Sequence, residues 1–162
     1  MLGEVGRGFR QTMATLDNGR IGIGALSVRL ARPPSKRRVK YAQQRRAFGK
    51  PIGEHQAIQW MIADAALEID AARLLVYRSR MAQRSGQRLH ETGGDRKLMA
   101  TEVAERVSRN AIQIHGSYGY SREFPVERIY RDQRLSDDRR RHERNSAHGD
   151  RAARAAGVFV DL

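Results

Sequence analysis

The sequence predicts an all-α fold, an up-and-down helical bundle, from three observations. Apolar residues recur every three or four positions along two long segments, which is the spacing of a helix face that packs on a core. No segment of any length alternates apolar and polar residues, so a sheet is not expected. The 162 residues correspond to about one domain and can bury one core. We therefore expect three long helices and some shorter pieces.

The first predicted elements are a loop, a short helix and a long helix. Residues 1–8 contain three glycines and indicate a loop. A short helix is expected from Phe9 to about residues 17–19, where an Asn-Gly pair favours a turn. A second helix is expected over residues 20–48, and the glycine and proline at positions 49 and 51 would end it.

The next two helices have the clearest apolar spacing. One is expected over residues 53–83 and the other over residues 95–115. The two stripes consist of Ile58, Met61, Ile62, Ala65, Ile69, Ala72 and Val76 in the first, and of Met99, Val103, Val107, Ala111 and Ile114 in the second. Asp95 can cap the later helix by accepting a bond from a backbone N–H group. Residues 116–120 then form a tight turn.

One segment should interrupt the second helix. Residues 33–38 read PPSKRR, and a proline inside a helix costs about 3 kcal/mol. We therefore expect irregular structure at these six residues.

The charge of the chain is unusual. The net charge is +13 and the pI about 11.2, which would normally indicate binding to nucleic acid or to an anionic surface. However, 27 of the 31 basic residues are Arg and only four are Lys. Selection for phosphate contacts rarely excludes Lys so strongly, whereas a GC-rich coding sequence would do so. A basic helical module that binds nucleic acid remains the alternative function.

Several classes of protein are excluded by composition. Cysteine is absent, which excludes disulfides, thiolate metal sites and cysteine catalysis, and no metal site is predicted. No apolar run approaches the roughly 18 residues of a membrane span, and the first residues do not read as a secretory signal. We expect a cytoplasmic protein.

Four segments resemble the C-terminal helical domain of the acyl-CoA dehydrogenases, flavoenzymes that oxidise acyl-CoA thioesters at the α,β carbons. They are LDNGR at 16–20, YAQQRRAFGKPI at 41–52, QIHGSYGY at 113–120 and PVERIYRD at 125–132. They occur in the family's order and spacing, and the resemblance covers about residues 1–136. It implies that residues 1–8 end the preceding middle domain, that residues 9–137 form the bundle and that residues 138–162 are a divergent tail.

The resemblance implies the residues of a cofactor site for FAD. Arg45 is similar to the Arg that reaches the FAD phosphates of a neighbouring subunit, Phe48 to an aromatic residue that contacts the flavin, and Gln56 to a Gln that hydrogen-bonds FAD. Gln113, Gly116 and Ser117 resemble the segment at the adenine end, where the family usually has a second glycine in place of Ser117.

The resemblance also implies partners. Asp17 and Arg20 resemble the pair that binds near the CoA portion of the acyl-CoA substrate, and the family's assembly implies a homo-oligomer, a dimer or a tetramer, with an electron-transfer partner possible. Taken singly, these residues have ordinary alternatives. Asp17 and Arg20 can be a helix ion pair worth under about 1 kcal/mol, Gln113 can be solvated, and Arg45 can be surface charge.

The resemblance implies that the tail lacks a catalytic base. In most members the base is the Glu of a Glu-Gly-Thr segment, and its position counts to Arg140 here. A guanidinium is always protonated and cannot abstract a proton. Some members place the base just before the Arg of the first segment, and Gly19 stands at that position. We therefore expect the chain, as written and alone, to be inactive.

We interpret two segments as the products of frameshifts. Residues 33–38 can be back-translated so that one base added before them and one removed after them gives Ala-Ala-Phe-Glu-Ala-Ala. Residues 138–151, read one base later, can give IDEGTNEIQRMVIA, the family's closing segment, with Glu at position 140. Residues 33–38 and 138–156 each carry +3 as written and −1 in the alternative frame, so the net charge falls from +13 to about +5. As written, the tail should be mobile or loosely attached.

Overall fold

The computed structural model describes Gly3 and residues 5–86 and 93–138. Its elements in chain order are α1 (Gly8–Gln44), β1 (Arg46–Ala47), β2 (Lys50–Pro51), a 3₁₀ turn (Ile52–Glu54), α2 (Gln56–Arg84), α3 (Gly93–His115), a second 3₁₀ turn (Gly116–Tyr120) and α4 (Val126–Asp138). The expected all-α bundle is confirmed. None of the described helices is both long and apolar enough to cross a membrane.

Small residues hold the helices together around α3, which packs against each of the other three helices. The core contains Val28 and Ala31 from α1, Ala65, Ile69, Ala72 and Val76 from α2, and Ala100, Val103, Ala104 and Val107 from α3. At Gly24, α1 lies close to both α2 and α3, because a Cβ built there would lie 3.3 Å from Val76 Cγ2 and 3.7 Å from the Cα of Lys97. The predicted apolar stripes account for the core residues of α2 and for Val103 and Val107 of α3, but not for the residues from α1 or for Ala100 and Ala104.

The predicted break at residues 17–19 is wrong, because α1 is continuous from Gly8. An Asn and a Gly together reduce helix propensity by only about 1–2 kcal/mol. The Asn18 carboxamide oxygen accepts a hydrogen bond from the Gln83 side chain, which ties this part of α1 to α2. Cross-helix contacts and the packing of the following turns keep the segment helical.

The predicted irregularity at residues 33–38 is also wrong, because α1 runs through Pro33 and Pro34. Pro34 is buried, and the helix is anchored on both sides by Ala31 and Ala42, each 1% exposed. The cost of two prolines is local, whereas this packing extends along the rest of the helix. Tertiary packing therefore overrides the local preference.

A small hairpin and the last helix were not predicted. Helix α1 ends at Gln44 rather than at residue 48, and β1 pairs with β2 in antiparallel fashion, with Arg46 opposite Pro51. Phe48 and Gly49 form the turn with φ of 53° and 80°, and positive φ at both central residues is typical of tight hairpins. The glycine was interpreted as a helix stop, although it serves this turn. Helix α4 buries Val126 and Ile129.

One buried guanidinium is poorly accommodated in the core. Arg38 is 0% exposed, and its Nη2 donates to Ser35 Oγ and to the Ile62 carbonyl oxygen, both at 3.3 Å. Its Nε and Nη1 have no hydrogen-bond partner. Burial lowers the pKa of Arg38 to about 10, although the negative charge of Glu68 opposes this effect. A buried charge with unsatisfied donors costs several kcal/mol.

The burial pattern of residues 33–38 fits the frameshift interpretation. Positions 34 and 38 are buried, position 35 is half-buried and position 36 is exposed. The alternative frame places Ala at both buried positions, Phe at the half-buried one and Glu at the exposed one. It also removes both prolines from α1. The alternative residues therefore suit the helix better at Pro33 and Pro34 and the core better at Arg38, whereas exposed positions 36 and 37 accept either residue.

We predict that the six-residue replacement P33A/P34A/S35F/K36E/R37A/R38A stabilises the chain. Removing the buried charge and the two helix prolines should raise the free energy of unfolding by about 3 kcal/mol or more. Urea unfolding followed by circular dichroism measures the change. The double variant K36E/R37A is the matched control, because both residues are exposed and should shift stability by no more than about 0.5 kcal/mol. An unchanged or reduced stability of the six-residue variant would contradict the interpretation.

Candidate functional site

The six predicted cofactor residues lie at one end of the bundle. Helix α1 ends at Gln44, α2 begins at Gln56 and α3 ends at His115, so these termini and the hairpin meet there. The six residues are Arg45, Phe48, Gln56, Gln113, Gly116 and Ser117, and all are exposed. The fold thus gathers residues that are up to 72 positions apart in the sequence.

An aromatic cluster of Tyr41, His115, Tyr118 and Phe124 joins the elements at this end. Tyr41 stacks on the His115 ring at 4.2 Å between centroids, and both rings meet Phe124 edge-on at 5.7 and 5.5 Å. Tyr118 lies 5.6 Å from Phe124. The Tyr41 hydroxyl donates to the His115 carbonyl oxygen at 3.4 Å. The end of α1 is therefore fixed against the end of α3.

Arg45 projects from this cluster with an anchored backbone and an exposed side chain. Its backbone N–H donates to the Tyr41 carbonyl oxygen at 2.8 Å, and its own carbonyl oxygen accepts from the Ile52 N–H at 2.8 Å. Its guanidinium carbon lies 6.0 Å from the centre of the Tyr118 ring, within cation–π range. A guanidinium placed in this way can bind a phosphate in bidentate fashion.

The 3₁₀ turn beside Arg45 presents backbone at the surface. Gly116 has φ of +58°, a conformation that favours glycine. A Cβ at Gly119 would lie 2.7 Å from the Ile112 carbonyl oxygen, so this part of the turn packs tightly on α3. Gln113 and Ser117 remain exposed. The turn therefore packs on α3 with one side. On its other side the exposed residues Gln113, Gly116 and Ser117 form a rim that a ligand can approach.

The hairpin tip presents an aromatic ring to solvent. Phe48 is 95% exposed, and its ring meets His55 edge-on at 6.1 Å. The His55 Nε2 lies 3.3 Å from the Ala47 carbonyl oxygen, which orients that ring. Gln56 begins α2 directly after it. A non-glycine residue with positive φ and a nearly fully exposed ring is unusual.

The predicted CoA pair lies far from this end. Arg20 is half-buried on α1, and at 1.5 Å per residue it stands about 37 Å along the helix from Arg45. Asp17 is also on α1, but its side chain lies outside the described residues, as do Arg140 and the rest of the tail. The structure therefore places the six predicted cofactor residues at one end of the bundle and the predicted CoA pair on a distant part of α1.

The aromatic cluster was missed by the sequence analysis. Tyr41, His115 and Tyr118 all occur inside the segments that carry the resemblance, and Phe124 directly precedes another. No role was predicted for His115. An excess of aromatic residues in segments far apart in sequence could have indicated a shared cluster. Over residues 5–86 and 93–138, no group of three or more His, Asp or Glu side chains could hold a metal ion.

Comparison with known proteins identifies relatives over most of the chain. Residues 6–137 match the family model described as acyl-CoA dehydrogenase, C-terminal domain. Subunit CarC of the caffeyl-CoA reductase-Etf complex of Acetobacterium woodii is 42% identical over 134 residues, which are 83% of this chain and 35% of that protein. The short-chain specific acyl-CoA dehydrogenase of Megasphaera elsdenii is 42% identical over 136 residues, 84% of this chain and 36% of that protein.

The solved structures agree with the fold described above. Butyryl-CoA dehydrogenase from Megasphaera elsdenii superposes with a TM-score of 0.81 at 42% identity, covering 84% of this chain and 36% of that chain. The chain therefore spans about a third of the length of the relatives that it matches.

We predict that His115 makes the chain sensitive to acid. Burial lowers the pKa of His115 below its ordinary value of 6.5, despite the hydrogen bond of Nδ1 with the Ala111 carbonyl oxygen at 2.7 Å. Below pH 6.5 the His115 side chain is protonated more readily in the unfolded state than in the folded state. The free energy of unfolding therefore decreases as the pH falls. His115→Asn should reduce this loss of stability between about pH 7 and pH 5.

Urea midpoints at the two pH values measure the effect. Ser117→Ala, an exposed change in the adjoining turn, is the control and should keep the pH dependence of the original chain. An identical pH dependence in His115→Asn would show that the buried ring does not titrate differently in the two states.

Proposed function

The chain belongs to the acyl-CoA dehydrogenase family, and we propose that its described part supplies one face of an FAD site in a complete enzyme of that family. The observation that carries the proposal is Arg45, whose backbone is anchored by two hydrogen bonds and whose exposed guanidinium lies over the Tyr118 ring. Five further residues of the family's cofactor segments lie at the same end of the bundle.

The residues at this end fit the parts of FAD. Arg45 supplies a fork of N–H donors for the phosphates. Phe48 offers an exposed ring on which a flavin can pack, and Gln56 offers an amide beside it. Gly116 and Ser117 present an open rim for the adenine end. Because this is one face only, the chain alone should bind FAD weakly or not at all, since the ordering cost of a long ligand is poorly offset.

The distance along α1 supports a site shared between subunits. About 37 Å of helix separates Arg45 from Arg20, so the two cannot contact the same reacting centre. Arg45 would reach the FAD of a neighbouring subunit, whereas Asp17 and Arg20 would contact the CoA portion bound to their own subunit. This division requires a homo-oligomer, which we propose as a dimer or a tetramer.

The reaction proposed for the complete enzyme is the α,β-oxidation of an acyl-CoA thioester. FAD, when bound, supplies the oxidant that accepts the β-hydride. This chain would bind and orient the cofactor and the substrate but would not abstract the proton. Arg140 stands at the usual position of the catalytic base, and Gly19 stands at the alternative position that some family members use. The relative named as a subunit of an Etf complex supports an electron-transfer partner for this chain as well. A cytoplasmic location stays a prediction.

The alternative function, binding of nucleic acid, loses its support. It rested on the net charge of +13, and family membership accounts for the four ordered segments without it. Two results together would favour the nucleic-acid function again. The chain would be retained on DNA in a salt-sensitive manner, and Arg45→Ala would have no effect on flavin binding.

We predict that Arg45 is needed for flavin retention in a complete enzyme. The test protein is a chimera in which residues 9–137 replace the matching part of the Megasphaera elsdenii short-chain acyl-CoA dehydrogenase. Arg45→Ala should weaken FAD binding by about tenfold or more, because a charge-assisted contact to phosphate is lost. The ratio of flavin to protein absorbance after gel filtration, with titration of the apoprotein, measures this.

Arg32→Ala is the matched control for that chimera. Arg32 is an exposed arginine on the same helix and lies in none of the cofactor segments, so its loss should leave flavin retention unchanged. Equal flavin retention by Arg45→Ala and Arg32→Ala would refute the assignment of Arg45.

We predict that the tail decides activity. Two full-length chimeras should differ only after residue 137, one with the tail as written and one with the tail of the alternative frame. The second places Glu at position 140 and should oxidise acyl-CoA about 10²–10⁴-fold faster in a dye-linked assay, because a general base is restored. A third chimera with Gln at position 140 separates the base from any folding effect. Equal rates in the first two would show that the base lies elsewhere.

A further inference from the structure

Two adjacent arginines after the end of α1 differ in how their side chains are held. The Arg46 Nη2 donates to the Gly49 carbonyl oxygen at 2.8 Å, so this guanidinium is bound within the hairpin. The Arg45 guanidinium has no hydrogen bond or ion pair to any residue that the structure describes. It lies instead over the Tyr118 ring, with its central carbon 6.0 Å from the ring centre. The N–H donors and the charge of Arg45 therefore remain available to a ligand.

The Tyr118 ring is held by its own turn and by Phe124. The centres of the two rings lie 5.6 Å apart, at a tilt of 60°. The Tyr118 carbonyl oxygen accepts a hydrogen bond from the Ser121 N–H at 3.1 Å. The adjacent Gly119 packs so closely on α3 that a Cβ there would lie 2.7 Å from a carbonyl oxygen of that helix. Arg45 therefore rests on a ring whose position is fixed from two sides.

An aromatic ring suits the orientation of an arginine that must bind phosphate. A long side chain loses rotamer freedom when it binds a ligand, and a contact that already restricts the side chain reduces this cost. A carboxylate would also restrict an arginine, but it would occupy N–H donors and neutralise the positive charge. A ring face attracts the guanidinium through its quadrupole and keeps the charge. Tyr118 can therefore orient Arg45 without an acceptor atom that competes with phosphate.

We propose that Tyr118 is a positioning residue of the flavin site and holds the Arg45 guanidinium ready for the FAD phosphates. This inference rests on the proposed function for the identity of the ligand, and it adds a residue to the six predicted cofactor positions. Tyr118 acts through Arg45 and does not need to touch the phosphates itself. The contribution of Tyr118 to FAD affinity therefore depends on the presence of Arg45.

A double-mutant cycle in the chimera with the Megasphaera elsdenii enzyme tests this dependence. Tyr118→Leu should weaken FAD binding by about three- to tenfold, because a cation–π contact gains strength when a ligand excludes water from it. Tyr118→Phe keeps the ring and should stay within about twofold of the unsubstituted chimera. In the Arg45→Ala background, Tyr118→Leu should change FAD affinity by less than about 1.5-fold. A loss of the same size in both backgrounds would overturn the proposal, because it would show a general structural effect.

Tyr120→Leu is the matched control for the cycle. Tyr120 is a tyrosine of the same 3₁₀ turn and is 81% exposed, so its replacement should leave FAD affinity unchanged. Urea midpoints of all the variants show whether any of them loses stability together with affinity. If Tyr120→Leu and Tyr118→Leu weaken FAD binding equally, the effect belongs to the turn as a whole and the proposal is wrong.

Nuclear magnetic resonance measures the contact itself in the full chain without FAD. The Arg45 side-chain signals, identified by their loss in Arg45→Ala, should be shifted upfield and should show cross-relaxation with the Tyr118 ring protons. Tyr118→Phe should keep the upfield shift and Tyr118→Leu should remove it. A spectrum without either sign of the contact would overturn the proposal, whatever the chimera does.

The two levels of the account fail in different ways. If Arg45→Ala leaves FAD affinity unchanged, the proposed function is wrong and the role of Tyr118 is wrong with it. If Arg45→Ala weakens FAD binding while the effects of Arg45→Ala and Tyr118→Leu are additive, only the role of Tyr118 is wrong.

Discussion

Close packing around α3 is the constraint on which the rest of the structure depends. Most of its buried residues are small, and Ala100, Ala104 and Val107 are 0% exposed. Residues of this size let α1, α2 and α4 approach one helix at the same time. The direction of α3 then determines where its end, at His115, meets the end of α1. The candidate site exists because these two ends coincide.

The buried arginine shows how strongly this packing acts. Helix α1 keeps its course through two prolines, and it holds Arg38 in the core with two unsatisfied nitrogen atoms. Neither feature stabilises the bundle, and both fall within the six residues that an alternative frame would replace by helix formers. The fold is thus determined by the residues on either side of this segment, and the segment itself opposes it.

The sequence predicted the bundle and the core better than the breaks between elements. Apolar spacing placed Ala65, Ile69, Ala72 and Val76 correctly, because burial on one helix face is a periodic signal. The breaks at residues 17–19 and 33–38 failed, because Asn, Gly and Pro report local preference and α1 is held by tertiary contacts. The six cofactor residues came from a resemblance, whereas the aromatic cluster that fixes Arg45 depends on contacts between distant segments and could be seen only in the structure.

The central claim is that the end of the bundle with Arg45 completes a site on a neighbouring subunit. Mixed oligomers test it most directly. Arg45→Ala and Arg20→Ala are introduced separately into the active chimera, so that each variant alone is expected to be weak, and the two variants are co-expressed with different affinity tags. If Arg45 acts on the neighbouring subunit, the doubly purified mixture regains about half of the activity per site, because one of every two sites receives both arginines. If mixed oligomers stay as weak as their parents, both arginines act within one chain and the claim is contradicted.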